Sequence, residues 1–298
     1  MSLTLEGMSL TPAEQAASDR LIALALAEDL GVAGDLTSRC LIPADRTARA
    51  AFMARSAGVL AGLPVAAAVA QAVDPAIRFE PRISDGTGLV RGTEIAVMSG
   101  PLRSILTAER TALNFLQRLS GVATQTRRHV DVVKGLPVQI LDTRKTTPGW
   151  RLLEKYAVRM GGGTNHRIGL YDGILIKDNH LAGLGDPTTA IRRAVEMARN
   201  DPANAGLMIE VEVDTLEQLQ QALDVKASLV LLDNMPEAQL REAVRMRNAS
   251  SPGTKLEASG GVNLSTLRGI AETGVDRISI GALTHSAVAL DIALDYLA

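Results

Sequence analysis

Apolar and polar positions follow two different rhythms along this chain, and the change from one to the other divides it a little before its midpoint. From about Thr11 to Glu28 the apolar residues Ile22 and Leu26, continued by Leu30, recur at helical spacing, and Pro12 suits a first turn, so an amphipathic helix is predicted there. The next stretch carries short alternating runs, Ala48 to Met53 and Glu94 to Met98, between turn signals at Gly58, Gly62-Leu63-Pro64 and Gly100-Pro101. The alanine-rich Ala66 to Ala72 reads as helix. Together these elements predict a small α/β domain. A second strong helix is expected over Ile105 to Leu119, with Leu106, Leu113 and Leu116 on its apolar side and Gly121 placed to stop it.

Beyond Val138 short apolar runs alternate with helical segments, which is the grammar of a parallel α/β barrel. The runs are Val138 to Leu141, Gly173 to Ile176, Met208 to Val213, Leu229 to Leu232, Lys255 to Ala258 and Arg277 to Ile280. Fewer than eight are recognisable, so the expected fold class is α/β, an irregular, incomplete α/β barrel with a smaller N-terminal domain. The expected boundaries are 1–125 for the first domain and 126–283 for the barrel. The segment 284–298 reads as a terminal helix that closes the barrel or packs back on the first domain.

Each run ends in polar or glycine residues, among them Asp142-Thr143-Arg144-Lys145, Lys177-Asp178-Asn179-His180, Asp233-Asn234 and Ser259-Gly260-Gly261. In parallel barrels the C-terminal strand ends build the active site, so this distribution predicts one shared pocket. Composition narrows what that pocket serves. Over 298 residues the net charge is −2 and only 2% of residues are aromatic, which argues against a basic nucleic-acid surface or a base-stacking platform. No apolar run reaches the ~20 residues of a membrane span, and Met1 to Leu10 shows no secretory signal, so a cytoplasmic protein with no membrane partner is expected. The single cysteine, Cys40, has no partner for a disulfide or a zinc site.

The candidate chemistry is therefore local. In Ile209 to Asp214 a period of two sets Glu210, Glu212 and Asp214 on one face, directed into the barrel, where buried carboxylates require a cation such as Lys145, Lys177 or a metal. Arg144-Lys145 and His166-Arg167 flank the loops Thr146 to Gly149 and Gly161 to Gly163, and arginine forks with lysine point charges suit a polyanion. Ser259-Gly260-Gly261 and Ile280-Gly281-Ala282 each lead from a strand into a helix, where free N–H groups favour a phosphate. Asp233 is placed for a ribose hydroxyl or a metal, or as a helix N-cap.

These segments resemble quinolinate phosphoribosyltransferase over nearly the whole chain. The likeness rests on Ala108 to Asn114, Leu141 to Gly149, Gly161 to Leu170, Ile174 to His180, Ile209 to Asp214, Leu232-Asp233-Asn234, Ser259 to Val262 and Ile280-Gly281-Ala282. Asp-Thr-Arg-Lys-Thr-Thr-Pro-Gly combined with Asn-His-Arg and Ile-Lys-Asp-Asn-His is its most specific part. The resemblance implies an N-terminal α/β sandwich, an irregular barrel, and a homodimer with active sites shared across the interface. It implies that quinolinate and phosphoribosyl pyrophosphate are joined to give nicotinate mononucleotide, pyrophosphate and carbon dioxide.

By matching motif, Thr143, Arg144, Lys145, His166, Arg167 and Lys177 would bind the quinolinate carboxylates and pyrophosphate. Glu210 and Asp233 would hold the ribose hydroxyls and Mg2+, with Lys145, Glu210 and Asp233 carrying the chemistry. Ser259, Gly260, Gly261, Ile280, Gly281 and Ala282 would hold the 5′-phosphate, and Arg110 would reach into the neighbouring subunit's site. Trp150, Met160 and Thr164 depart from the family's usual forms. Two other readings compete. A related transferase associated with molybdenum use is expected to depart at Ile-Lys-Asp-Asn-His, and a non-catalytic sugar-phosphate-binding barrel would need neither Glu210 nor Lys145.

Overall fold

The structure is a computed structural model that describes residues 10–297. The signal-free reading of Met1 to Leu10 thus lies almost wholly outside the described residues. The chain begins with α1 (Pro12–Leu30), α2 (Leu36–Leu41), β1 (Thr47–Ala54), β2 (Gly58–Val59), α3 (Leu63–Val73), β3 (Arg78–Pro81), β4 (Gly88–Leu89) and β5 (Glu94–Pro101). Then come α4 (Leu102–Val132), β6 (Gln139–Leu141), α5 (Arg151–Met160), β7 (Ile174–Ile176), α6 (Asp178–Gly183), α7 (Ala190–Asn200) and β8 (Ile209–Val213). The last elements are α8 (Leu216–Asp224), β9 (Leu229–Asp233), α9 (Glu237–Ser250), β10 (Lys255–Ser259), α10 (Leu267–Ala271), β11 (Arg277–Ser279), α11 (Ala282–His285) and β12 (Ile292–Leu297).

Two compact units result, one of Met1–Arg127, Thr146–Gly162 and Leu283–Ala298, the other of Arg128–Lys145 and Gly163–Ala282. In the first, α1 starts where the sequence places it, because Thr11 and Glu14 cap each other reciprocally across the first turn. An antiparallel sheet in the order β12-β1-β5-β3 forms the floor of this unit, with Ala50, Ala51, Phe52 and Ala54 of β1 buried in it.

Two expectations are corrected here. The terminal segment is not a long helix: α11 spans only Ala282–His285, and β12 pairs along β1 from Arg49↔Leu297 to Ala54↔Ile292. Ile292 to Leu297 also satisfies a period of two, burying Ile292 and Leu294, and the open edge of β1 decides between the two periods by offering hydrogen bonds. Nor does Gly121 stop a helix, since α4 runs through it to Val132. A Cβ at Gly121 would stand 2.1 Å from the carbonyl oxygen of Val288, so the glycine serves a close backbone approach inside a continuous helix.

The second unit holds a six-stranded parallel sheet in the order β6-β11-β10-β9-β8-β7. All six predicted runs are present. Chain order is preserved around the ring from β7 to β11, and β6 closes on β11 rather than on β7. Among the described residues the ring stays open between β7 and β6, where Leu141 and Thr164 make a single parallel bridge. The incomplete barrel expected from the strand count is what the chain forms.

Candidate active site

Register sets which residues face the barrel interior. Glu210 stands opposite Leu175 and Leu229, Glu212 opposite Leu231, Leu231 opposite Glu257, and Glu257 opposite Arg277. The interior therefore carries charge at several levels, and the end at which the strands finish opens into a pocket. Of the sequence-predicted residues, Thr143, Arg144, Lys145, His166, Arg167, Lys177 and Ser259 line it together. Leu175, Glu212, Leu231 and Ser279 complete the lining.

The cations are held by their neighbours on the chain. Lys145 donates its backbone N–H to Thr143 Oγ1 at 3.0 Å, which fixes the turn that follows β6. The Asn165-His166-Arg167 string is pinned from below by Asp142, a fully buried carboxylate that accepts the His166 N–H at 2.8 Å and the Asn165 side-chain amide at 2.6 Å. Downstream, Asp172 accepts the backbone N–H groups of Ile168 and Gly169 at 2.7 and 2.8 Å. The Arg167 guanidinium donates to the Gly173 carbonyl at 3.0 Å. Burial, together with the Arg144 charge, holds Arg167 below its ordinary pKa, so this corner of the pocket favours a bound anion.

The two glutamates of β8 separate. Lys177 forms a short ion pair with Glu212, and both line the pocket. Glu210 is fully buried and lies 3.0 Å from His166 Nε2, with Glu257 on the same nitrogen at 3.4 Å. Of the two, Glu212 lines the pocket and Glu210, expected from the sequence to meet the ribose and Mg2+, lies buried behind it. Glu257 was not singled out in the sequence, although the alternation of Lys255 to Ser259 sets it on the face of Ser259.

His166, Glu210 and Glu257 bring their ligating atoms within 4.8 Å of one another. The other ring nitrogen, Nδ1, accepts the Arg167 N–H at 2.8 Å, which leaves the ring proton on Nε2, the nitrogen nearest the two carboxylates. Burial opposes a charged ring, but the two glutamates outweigh it and push the His166 pKa up to about 9. Burial and then the Glu257 charge raise Glu210 as well, despite the His166 contact. The Arg167 N–H on Nδ1 opposes a second ring proton, so at this ring the backbone contact and the two glutamate charges pull in opposite directions.

The remaining predicted residues sit outside the pocket lining. Asp233 ends β9 opposite Ser259 and accepts from the Asn234 side chain at 2.7 Å. Gly260 and Gly261 follow with φ of +90° and +62°, and a Cβ on Gly260 would meet the Asn234 side-chain oxygen at 2.1 Å. Ile280 donates its N–H to the Leu141 carbonyl at 2.9 Å, and Gly281 leads into α11, which begins at Ala282. Arg110 is exposed on α4.

A quinolinate phosphoribosyl transferase C-terminal domain matches residues 122–295, and the corresponding N-terminal domain matches residues 35–120. The chain belongs to the quinolinate phosphoribosyltransferase family. The C-terminal match contains every predicted pocket residue from Thr143 to Ala282, and the N-terminal match contains Arg110. A carboxylating nicotinate-nucleotide pyrophosphorylase from Mycobacterium leprae is 45% identical over 273 residues, covering 91% of this chain and 94% of the relative. A decarboxylating quinolinate phosphoribosyltransferase from Nicotiana tabacum is 40% identical, covering 92% and 81%. Among solved structures, the nicotinate-nucleotide pyrophosphorylase of Francisella tularensis superposes with a TM-score of 0.87 at 39% identity, over 95% of this chain and 96% of that one. Trp150, expected from the sequence to depart from the family's usual form, stacks on Phe115 with ring centroids 4.9 Å apart.

Proposed function

We propose that this chain is a decarboxylating phosphoribosyltransferase that joins quinolinate to phosphoribosyl pyrophosphate, releasing pyrophosphate and carbon dioxide and yielding nicotinate mononucleotide for pyridine nucleotide synthesis. The observation that carries this is the gathering of Arg144, Lys145, Arg167 and Lys177 around one pocket whose wall also presents Glu212. Two carboxylates, a pyrophosphate and a phosphate together need that much positive charge in a chain of net charge −2.

In the reaction the bond from C1 of the ribose to the pyrophosphate oxygen breaks with its electron pair leaving on oxygen, and the quinolinate nitrogen forms the new bond to C1. Positive charge develops on the sugar ring and negative charge on the departing oxygens. Glu212 and Asp233 favour the first, Lys145 and Lys177 the second. The pyridinium so formed accepts the electron pair of the adjacent carboxylate bond, carbon dioxide leaves, and the ring carbon takes up a proton. Arg144 and Arg167 clamp the carboxylates, and Ser259 with the Gly260-Gly261 and Ile280-Gly281-Ala282 turns receives the 5′-phosphate. The carboxylate oxygens of Glu212 and Asp233 suit Mg2+, which would be held there largely through substrate and would neutralise the pyrophosphate. Phosphoribosyl pyrophosphate does not cross a bilayer unaided, so the reaction belongs in the compartment that supplies it, which we take to be the cytoplasm. No helix among the described residues is long and apolar enough to cross a membrane.

Incubation with both substrates and Mg2+ is expected to release pyrophosphate, carbon dioxide and nicotinate mononucleotide in equal amounts. Nicotinate should react poorly, because it leaves one half-buried guanidinium without the carboxylate that the site is built to pair with it. Comparable rates with nicotinate and quinolinate would reject the reading. Removal of divalent ions should abolish turnover and Mg2+ should restore it; full activity after exhaustive chelation would sink the metal's role.

A further inference from the structure

Beneath the pocket floor lie two buried groups that the reaction leaves without a part, Glu257 on β10 and Glu210 on β8, both facing the barrel interior. Burying two carboxylates costs several kcal/mol unless each is partnered, so their place needs a reason. Both glutamates are wholly inaccessible, which bars them from substrate. What they reach is His166 Nε2, at 3.0 and 3.4 Å. The same ring, through Nδ1, accepts the backbone N–H of Arg167 at 2.8 Å. A continuous line therefore runs from the barrel interior to the residue that presents a guanidinium to the pocket.

We propose that Glu257, acting with Glu210, is a positioning residue for quinolinate recognition: the two buried carboxylates orient the His166 ring, and the ring fixes the Arg167 backbone and hence its guanidinium. This rests on the function proposed above. The other attachments of the segment show why such a brace is needed. Asp142 holds the His166 N–H, and Asp172 holds those of Ile168 and Gly169, leaving the Arg167 N–H as the one between them. His166 Nδ1 supplies its acceptor, and Nε2 on the far side of the ring faces Glu210 at 3.0 Å and Glu257 at 3.4 Å from two strands, so the orientation of the ring depends on both charges.

The role separates from bulk stability by which kinetic constant moves. Glu257→Ala is expected to raise the KM for quinolinate about tenfold while leaving the KM for phosphoribosyl pyrophosphate within twofold, and direct calorimetric titration with quinolinate should show the same loss. Glu257→Gln, which keeps an acceptor for Nε2–H at the same reach, should recover most of that affinity. A merely structural role would lower the active fraction, and so kcat, with no change in either KM. Should Glu257→Ala fail to accumulate as folded protein, Glu257→Asp carries the same test, since it keeps the charge but withdraws the acceptor by one methylene. Unchanged quinolinate affinity in the folded variant, or equal loss for both substrates, overturns the proposal. If the wild-type chain binds quinolinate but forms no product, the assigned reaction fails while the positioning role is still read from the titrations.

Discussion

Glu210 and Glu212 stand two positions apart on one strand, yet they meet different chemistry because a strand rises about 3.3 Å per residue. Period-two reasoning sets both on the interior face but says nothing of depth. At the level of Glu212 the barrel has opened to the pocket and Lys177 is within reach, whereas one repeat deeper Glu210 is sealed against His166 and Glu257. Glu212→Gln should therefore remove a charge that faces the developing cation and loosen the Lys177 ammonium, lowering kcat by about a hundredfold, the scale of losing one preorganised electrostatic contact of ~3 kcal/mol. Substrate-saturated rates measured beside circular dichroism of the same sample check this. A kcat within threefold of wild type in a folded variant would return the role to another carboxylate. The cationic residues were easier to find, because Arg144-Lys145 and His166-Arg167 stand out in glycine- and threonine-rich loops. Glu257 was hidden inside an ordinary-looking strand.

At the scale of elements, Gly121 shows how a helix signal misleads. A glycine near the end of an apolar stripe reads as a stop, yet the space it leaves is filled by the Val288 backbone. Gly121→Ala would force its Cβ into a carbonyl oxygen 2.1 Å away that belongs to backbone and cannot rotate aside. Such overpacking should cost about 3 kcal/mol, lowering Tm by several degrees. A thermal melt within one degree of wild type would show that the two segments separate freely. The same segment explains why β12 escaped the sequence: Ile292 to Leu297 fits helix and strand periods alike, and only the edge of β1, more than two hundred residues earlier, decides. The six barrel strands were legible because each is a short apolar run closed by polar residues, a signal contained in the run itself. Long-range pairing leaves no such local mark. The Lys177–Glu212 pair is an intermediate case, since the need for a cation was readable and its identity was not.

At the scale of the whole molecule, the homodimer that the resemblance implies turns on Arg110. It lies on α4 within the N-terminal family match, exposed, and the pocket lining does not include it. If Arg110 serves the partner's pocket, Arg110→Ala and Lys145→Ala homodimers should each be nearly inactive, because every site lacks one cation. A mixed dimer differs: the barrel of the Arg110→Ala chain keeps its own Lys145 and receives an intact Arg110 from its partner, while the other site carries both lesions. Random reassortment makes about half the dimers mixed, each with one whole site of two, so the pool should regain about a quarter of wild-type activity, as a two-fold assembly of shared sites requires. Co-expression with different affinity tags isolates the heterodimer, whose activity should then reach about half that of wild type. The pattern of recovery is specific, because two lesions acting within one subunit leave every site damaged however the chains are paired. Heterodimers of verified composition that stay as inactive as both parents would place Arg110 in its own subunit's service or outside the site altogether.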